Sequence, residues 1–205
     1  MAHKLSMPIS QEAIQALHVG DPVHLSGLMV TARDAAHKLM VEKFIKPAQV
    51  VERADLYARL KELLAGGVIY HCGPVVSQDE QGRWRFVAAG PTTSNREEPY
   101  EADVIAHFGV RAIIGKGGMG DKTLQACRAH KAVYLHAIGG AATLIAHSVQ
   151  EVVDVYLKDE LGVPEAFWVI RVEDFPAVVT MDSHGQSLHA EIKERSTAAF
   201  QALIR

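Results

Sequence analysis

A chain of 205 residues and 22.3 kDa, 48% hydrophobic, has the material for one compact domain that buries roughly two-thirds to three-quarters of its unfolded surface. Lys plus Arg (21) against Asp plus Glu (24) leave a net charge of −3 with no block of like charges, which excludes a nucleic-acid stripe and a polybasic membrane anchor. Two cysteines, Cys72 and Cys127, exclude a disulfide scaffold, a four-thiolate zinc site and an iron–sulfur cluster held by this chain alone.

The first residues, from Met1 to Ser10, lack the long apolar core of a secretion signal, and the apolar stretch from Ala132 to Val149 is interrupted by two His and a Gly pair. No signal peptide and no transmembrane helix are expected, which with unpaired cysteines points to the cytoplasm. The eleven His residues are scattered without an HExxH pattern, so no metal site is assigned to this chain.

In chain order, Val23 to Leu28 reads as a strand after the Gly20-Asp21-Pro22 turn, and Ala35 to Phe44 as a helix with Ala36, Leu39, Met40 and Phe44 near one face. Asp55 is placed to cap a second helix, Leu56 to Leu64, which Gly66-Gly67 ends. Val68 to His71 and Trp84 to Ala88 bracket the polar Ser77 to Gly82 turn, which predicts a hairpin. From Pro99 the pattern becomes helix, strand, glycine loop, helix, strand, glycine loop, helix. Val110 to Ile114 and Ala132 to Ala137 are the strands, and Ala141 to Val149 is the last of these helices. Consecutive strand–loop–helix units predict a parallel core with right-handed crossovers. Ala166 to Val172 and Val178 to Asp182 read as later strands, Ser183 to Gln186 as a turn and Ser187 to Ala190 as an antiparallel return. An amphipathic helix with Ile192, Ala199 and Leu203 follows. The fold class is α/β with mixed sheet layers, in one domain over residues 1–205.

Four polar features fall where strands end or helices begin, the usual ligand positions of α/β proteins. Arg33, in Thr31-Ala32-Arg33-Asp34-Ala35-Ala36-His37-Lys38, stands before a helix and can offer its planar fork to a carboxylate; a surface Arg33–Asp34 cap would look the same. Gly90-Pro91-Thr92-Thr93-Ser94-Asn95-Arg96 joins three hydroxyls to an arginine, suiting an anion and a proton transfer, or only a loop that caps the next helix. Lys116 lies among four glycines between Gly115 and Gly120, as in phosphate loops. Gly117-Gly118 after the lysine rules out a Walker A loop, and no acidic residue supports a dinucleotide site. His136-Ala137-Ile138-Gly139-Gly140 reads as tight strand–helix packing with His136 a satisfied core histidine. Arg33, Arg96 and Lys116 with Thr92 and Thr93 describe a site for a small dicarboxylate or a phosphorylated acid. No Ser-His-Asp order, carboxylate pair or redox motif accompanies them, so the site lacks an electrophile.

These four motifs, followed by Asp174-Phe175-Pro176-Ala177 and Met181-Asp182, resemble in order the β subunit of iron–sulfur class I fumarases and L-tartrate dehydratases, from about Val19 to Glu191. The resemblance implies a swivelling β/β/α domain that joins a larger α subunit, in a heterotetramer-type assembly, to form a hydro-lyase active only as the complex. The family's 4Fe–4S cluster is bound by the partner α subunit, which would supply the missing electrophile. Carried onto this chain, the family's proton-transferring threonine matches Thr92, its substrate arginines Arg33 and Arg96, and its substrate lysine Lys116. The implied substrate is fumarate or (S)-malate, with L(+)-tartrate or mesaconate as alternatives; a stand-alone anion-binding or regulatory domain is the alternative of another class. Where relatives carry Arg-Met, this chain has Arg96-Glu97-Glu98, and the two carboxylates are expected to point outward as helix N-terminal charges.

Overall fold

The computed structural model describes residues 2–48 and 52–204. The chain opens with β1 (His3–Ser6), α1 (Gln11–Gln15) and the long β2 (Pro22–Thr31). It continues through α2 (Asp34–Leu39), a π-helical turn over Met40–Ile45, α3 (Ala54–Leu64) and β3 (Val68–Tyr70). The pair β4 (Val75–Gln78) and β5 (Trp84–Ala88) precedes a 3₁₀ turn at Ser94–Arg96 and α4 (Glu98–Phe108). Then come β6 (Ala112–Gly115), α5 (Asp121–His130), β7 (Val133–His136) and α6 (Ala142–Ala146). The chain finishes with β8 (Val149–Tyr156), α7 (Lys158–Leu161), β9 (Phe167–Met181) and α8 (Leu188–Leu203). Among the described residues no helix is long and apolar enough to cross a membrane.

The fold class is the expected α/β with a mixed sheet. Strands β2, β3, β6 and β7 run parallel. β9 runs antiparallel to both β7 and β2, so these five strands form a closed circuit. β1 extends one half of β2 and β8 one half of β9. Because side chains alternate across a strand, each central strand feeds two cores. Val68, Tyr70, Ile114, Leu135, Trp168 and Ile170 point into the space the circuit encloses. Val30, Ile69, Ile113, Tyr134 and Val169 meet Ala36, Met40, Phe44, Leu60, Val104 and Ile105 of the helices. Strands buried on both faces need the continuous apolar runs that the sequence shows here.

Several expectations are corrected. Val68–Tyr70 does not form a hairpin with Trp84–Ala88: it lies between β2 and β6, and β5 pairs with β4. Three buried apolar residues in a row suit an interior strand, whereas β4 and β5 are partly exposed throughout. The two late strands are one, continuous through a bulge in which Leu25 faces Phe175 and Gly27 faces Val172. Ser187 makes only a bridge to Met181 and then caps α8, its Oγ accepting from the Ala190 N–H at 3.3 Å. Asp55 is not a cap; Arg53 holds that position in a left-handed conformation, leaving Asp55 in the first turn. The helix expected to reach Val149 stops at Ala146, and Val149 opens β8. Ile192, Phe200 and Leu203 of α8 are exposed.

The four parallel strands deliver their carboxyl ends to one rim, where Arg33, His71–Gly73, Lys116 and Gly139 follow directly. Trp168 fills the enclosed core behind that rim, its Nε1–H donating to the Val163 carbonyl at 2.9 Å and its ring edge-on to Trp84 and Phe86. Trp168→Ala is expected to cost about 3–5 kcal/mol of stability, read as a lower guanidinium midpoint at unchanged slope.

Candidate active site

The loop from Gly90 to Arg96 is laid as an extra rung between the ends of β3 and β6. The Thr92 N–H donates to the His71 carbonyl at 2.7 Å, the Lys116 N–H to the Thr92 carbonyl at 3.1 Å, and the Ser94 N–H to the Lys116 carbonyl at 3.0 Å. Cys72 bridges Pro91 and Thr93 bridges Lys116. Thr92 and Lys116, far apart in sequence, are thus backbone neighbours. The rung fits only because Gly115 has no side chain: a Cβ there would collide with Ser94 Oγ. Thr92 Oγ1 is buried with no hydrogen-bond partner among the described residues.

Arg33 precedes α2 with its side chain 16% exposed, and Arg96 ends the 3₁₀ turn with its side chain 55% exposed. Asp34 Oδ1 stands 4.0 Å from the Arg33 guanidinium and 3.8 Å from that of Arg96, so the two cations converge on one carboxylate oxygen. Glu165 holds Arg33 from the other side, Oε1 lying 3.2 Å from Nε while Oε2 accepts from the Ala35 N–H at 3.1 Å. Burial pushes the Glu165 carboxyl up, against the pull of Arg33. A Cβ at Gly73 would come 2.6 Å from Arg33 Nη1, so glycine is what leaves room for the guanidinium.

The glycine loop does less than its composition suggested. Gly117 and Gly118 have positive φ, and a Cβ on Gly118 would collide with the His189 ring. The amides at the start of α5 are already occupied. Glu98 accepts from the N–H groups of Gly120 (2.7 Å), Lys122 (3.2 Å) and Thr123 (3.4 Å) and from Thr123 Oγ1 (2.7 Å). An internal carboxylate satisfies this helix N-terminus and its dipole.

Glu98 therefore points into the protein, not outward, and so does Glu97. Glu97 is 1% exposed, with both carboxylate oxygens unpartnered among the described residues. His136 is not a satisfied core histidine either: it is half-buried, its Nδ1 lacks a partner among the described residues, and burial lowers its pKa.

Spacing did not reveal a cluster directly behind the rim. His37, His71 and Glu101 are 0% exposed, their ligand-type atoms within 4.8 Å of one another. His37 and His71 come from α2 and the end of β3, so only the fold brings them together. Glu101 offered a faint signal, an acidic residue among Val104, Ile105 and Phe108 on a buried helix face. Burial alone would raise its carboxyl, but His37 and His71 hold it down at about 2, against an ordinary value of 4.5. Burial alone would lower His37, but facing Glu101 it is raised above its ordinary 6.5. The two thiols do not suit cluster ligation. Cys72 and Cys127 are 0% exposed in different cores, and burial pushes Cys72 up to about 12 and Cys127 higher.

Fold and site together define an α/β protein with side-chain cations and, among the described residues, an unpartnered hydroxyl at the carboxyl rim of its parallel strands. A family model described as the fumarase C-terminus matches residues 2–192, and the chain belongs to that family. It is 51% identical over 192 residues to a protein of Geobacillus stearothermophilus named fumarate hydratase class I, covering 94% of this chain and 34% of that protein. It is 39% identical over 191 residues to the L(+)-tartrate dehydratase subunit beta of Escherichia coli (strain K12), covering 93% of this chain and 88% of that one. The chain thus spans about a third of the Geobacillus relative and most of the tartrate dehydratase subunit.

Two measurements follow from this geometry. Glu98→Ala is expected to cost about 1–2 kcal/mol, seen as a lower urea midpoint with faster hydrogen exchange at Gly120 and Thr123. The second is a pH profile. The depressed Glu101 carboxyl contributes stability that is present above its ordinary 4.5 and lost as pH falls towards about 2. The raised His37 contributes stability that is complete below 6.5 and lost as pH climbs through its folded pKa. Urea midpoints are therefore expected to be highest between these limits and to fall on both sides, and Glu101→Gln is expected to flatten the acid side.

Proposed function

We propose that this chain is the β subunit of a two-subunit iron–sulfur hydro-lyase that interconverts fumarate and (S)-malate in the cytoplasm, active only with its α subunit in a heterotetramer-type assembly. The observation that carries the reading is the convergence at one rim: two guanidiniums on a single carboxylate oxygen, beside a loop that holds Thr92 against Lys116. The relative named fumarate hydratase is 51% identical and the tartrate dehydratase subunit 39%, which favours fumarate over L(+)-tartrate or mesaconate.

In this reading Asp34 Oδ1 marks where a substrate carboxylate enters between Arg33 and Arg96. Planar guanidinium forks suit such a group. Lys116 supplies the third cation, and together these charges stabilise the negative charge that builds on the carboxylate as the C3 proton leaves. Thr92 Oγ1, buried and without a hydrogen-bond partner among the described residues, receives that proton in concert with an aspartate of the partner, because a lone hydroxyl is a weak base. In this reading the 4Fe–4S cluster that the family resemblance implies is the α subunit's, in keeping with the burial of Cys72 and Cys127. When bound, it supplies a Lewis acid for the departing hydroxide.

The test is anaerobic reconstitution with the α subunit and assay against fumarate, mesaconate and L(+)-tartrate. Thr92→Ala is expected to lower kcat for fumarate hydration at least about 100-fold while the complex still assembles. Near-wild-type turnover would remove Thr92 from its role, and a chain that binds dicarboxylates without any α subunit would favour the stand-alone anion-binding domain.

A further inference from the structure

A continuous line of buried polar groups runs behind the rim and ends at the site on both sides. His37 Nδ1 lies 2.8 Å from the Arg33 carbonyl and its Nε2 3.1 Å from Glu101 Oε2. His71 Nε2 lies 3.0 Å from the same oxygen and its Nδ1 2.8 Å from Ser94 Oγ, which also accepts from the Tyr134 O–H at 2.9 Å. The protons follow from the partners: His37 Nδ1 donates to the Arg33 carbonyl while its Nε2 faces the carboxylate as an ion-pair contact outside hydrogen-bond geometry, and Ser94 donates to His71, whose Nε2–H then faces Glu101.

One carboxylate oxygen therefore joins three elements. Through His37 it reaches the residue that carries the Arg33 guanidinium. Through His71 it reaches Ser94, and the His71 carbonyl itself takes the Thr92 N–H. As core filling this is an uneconomical choice, since apolar residues of similar volume commonly replace buried ionic groups at no loss of stability. What apolar residues cannot do is fix direction: each hydrogen bond sets the rotation of an imidazole and through it the place of a loop.

We propose that Glu101 is a positioning residue that fixes the Arg33 cation relative to the Thr92–Lys116 rung, setting the span across which a dicarboxylate is held. It rests on the hydro-lyase reading for the identity of that substrate, but the geometric claim concerns this chain alone. Glu101 touches neither the substrate cations nor Thr92 Oγ1, and acts through His37 and His71.

Glu101→Gln keeps the side-chain volume and removes the negative charge that both imidazoles face, leaving one amide oxygen where the carboxylate has two. In the full chain it is expected to shift the backbone amide resonances of Arg33, Thr92 and Ser94 together, leaving those of α8 in place. In the reconstituted complex, below the variant's unfolding midpoint, it is expected to raise KM for fumarate and lower kcat, each at least tenfold. Tyr134→Phe removes one hydroxyl at the far end of the line. It is expected to lower kcat at least threefold with KM within twofold, since it disturbs the Ser94 side and spares Arg33. Glu101→Gln with kcat/KM within twofold of wild type, or with amide shifts confined to α4, would overturn the proposal. So would one tightly bound divalent ion per wild-type chain that this variant releases, which would make Glu101 a metal ligand. A wild-type complex that turns over no dicarboxylate would defeat the hydro-lyase reading alone, and the amide shifts would still decide whether Glu101 sets the spacing.

Discussion

The antiparallel ladder between β2 and β9 is the interaction on which the remainder of the molecule depends. It runs from Pro22 opposite Val178 to Thr31 opposite Trp168, and without it the parallel strands β3, β6 and β7 would form a small open sheet. With it the sheet returns on itself, the space behind it becomes an apolar core, and β3, β6 and most of β7 are buried on both faces. Closure also removes freedom at the rim. Four parallel strands pinned at fixed neighbours must end at fixed positions, and the loops that follow inherit that precision.

The rim uses polar contacts with equal economy. The loop carrying Thr92 contributes no full strand, yet three backbone hydrogen bonds seat it between β3 and β6, and Gly115 supplies the clearance. Glu98 ties α4 to the start of α5, so the helix that begins just after Arg96 also secures the loop that carries Lys116. Buried charge in these places, Glu97 and Glu101 above all, departs from the composition of an optimised core. Such departures cluster where chemistry needs direction more than it needs stability.

The parallel middle of the fold was legible because Val110 to Ile114 and Ala132 to Ala137 are unbroken apolar runs ahead of glycine loops. The hairpin error had the same root in reverse: Val68 to Tyr70 is short, and length alone does not tell an interior strand from an edge. β9 was read as two strands because Glu173 to Pro176 resembles a loop, and only pairing with β2 carries the strand across the bulge. At the site, Arg33, Thr92, Arg96 and Lys116 were visible as motifs. Of the groups packed behind them, His37 lay within the first motif, but His71 and Glu101 come from other elements with no shared spacing, and Glu165 reaches Arg33 across 132 positions of sequence. The direction of Glu97 and Glu98 was missed because helix-start acids usually face water, whereas here a second helix N-terminus lies close enough to recruit one of them.

Asp34 has a consequence for selectivity. Because Asp34 Oδ1 already lies 4.0 and 3.8 Å from the Arg33 and Arg96 guanidiniums, an anion entering as proposed would not meet an empty positive field; it would compete with a tethered rival of high local concentration. A halide or a simple monocarboxylate gains little from such an exchange. A ligand that engages the guanidinium pair and Lys116 at once gains a second attachment that Asp34 cannot match. In the proposed reading the internal acid would act as a threshold, admitting molecules by the number and separation of their charges.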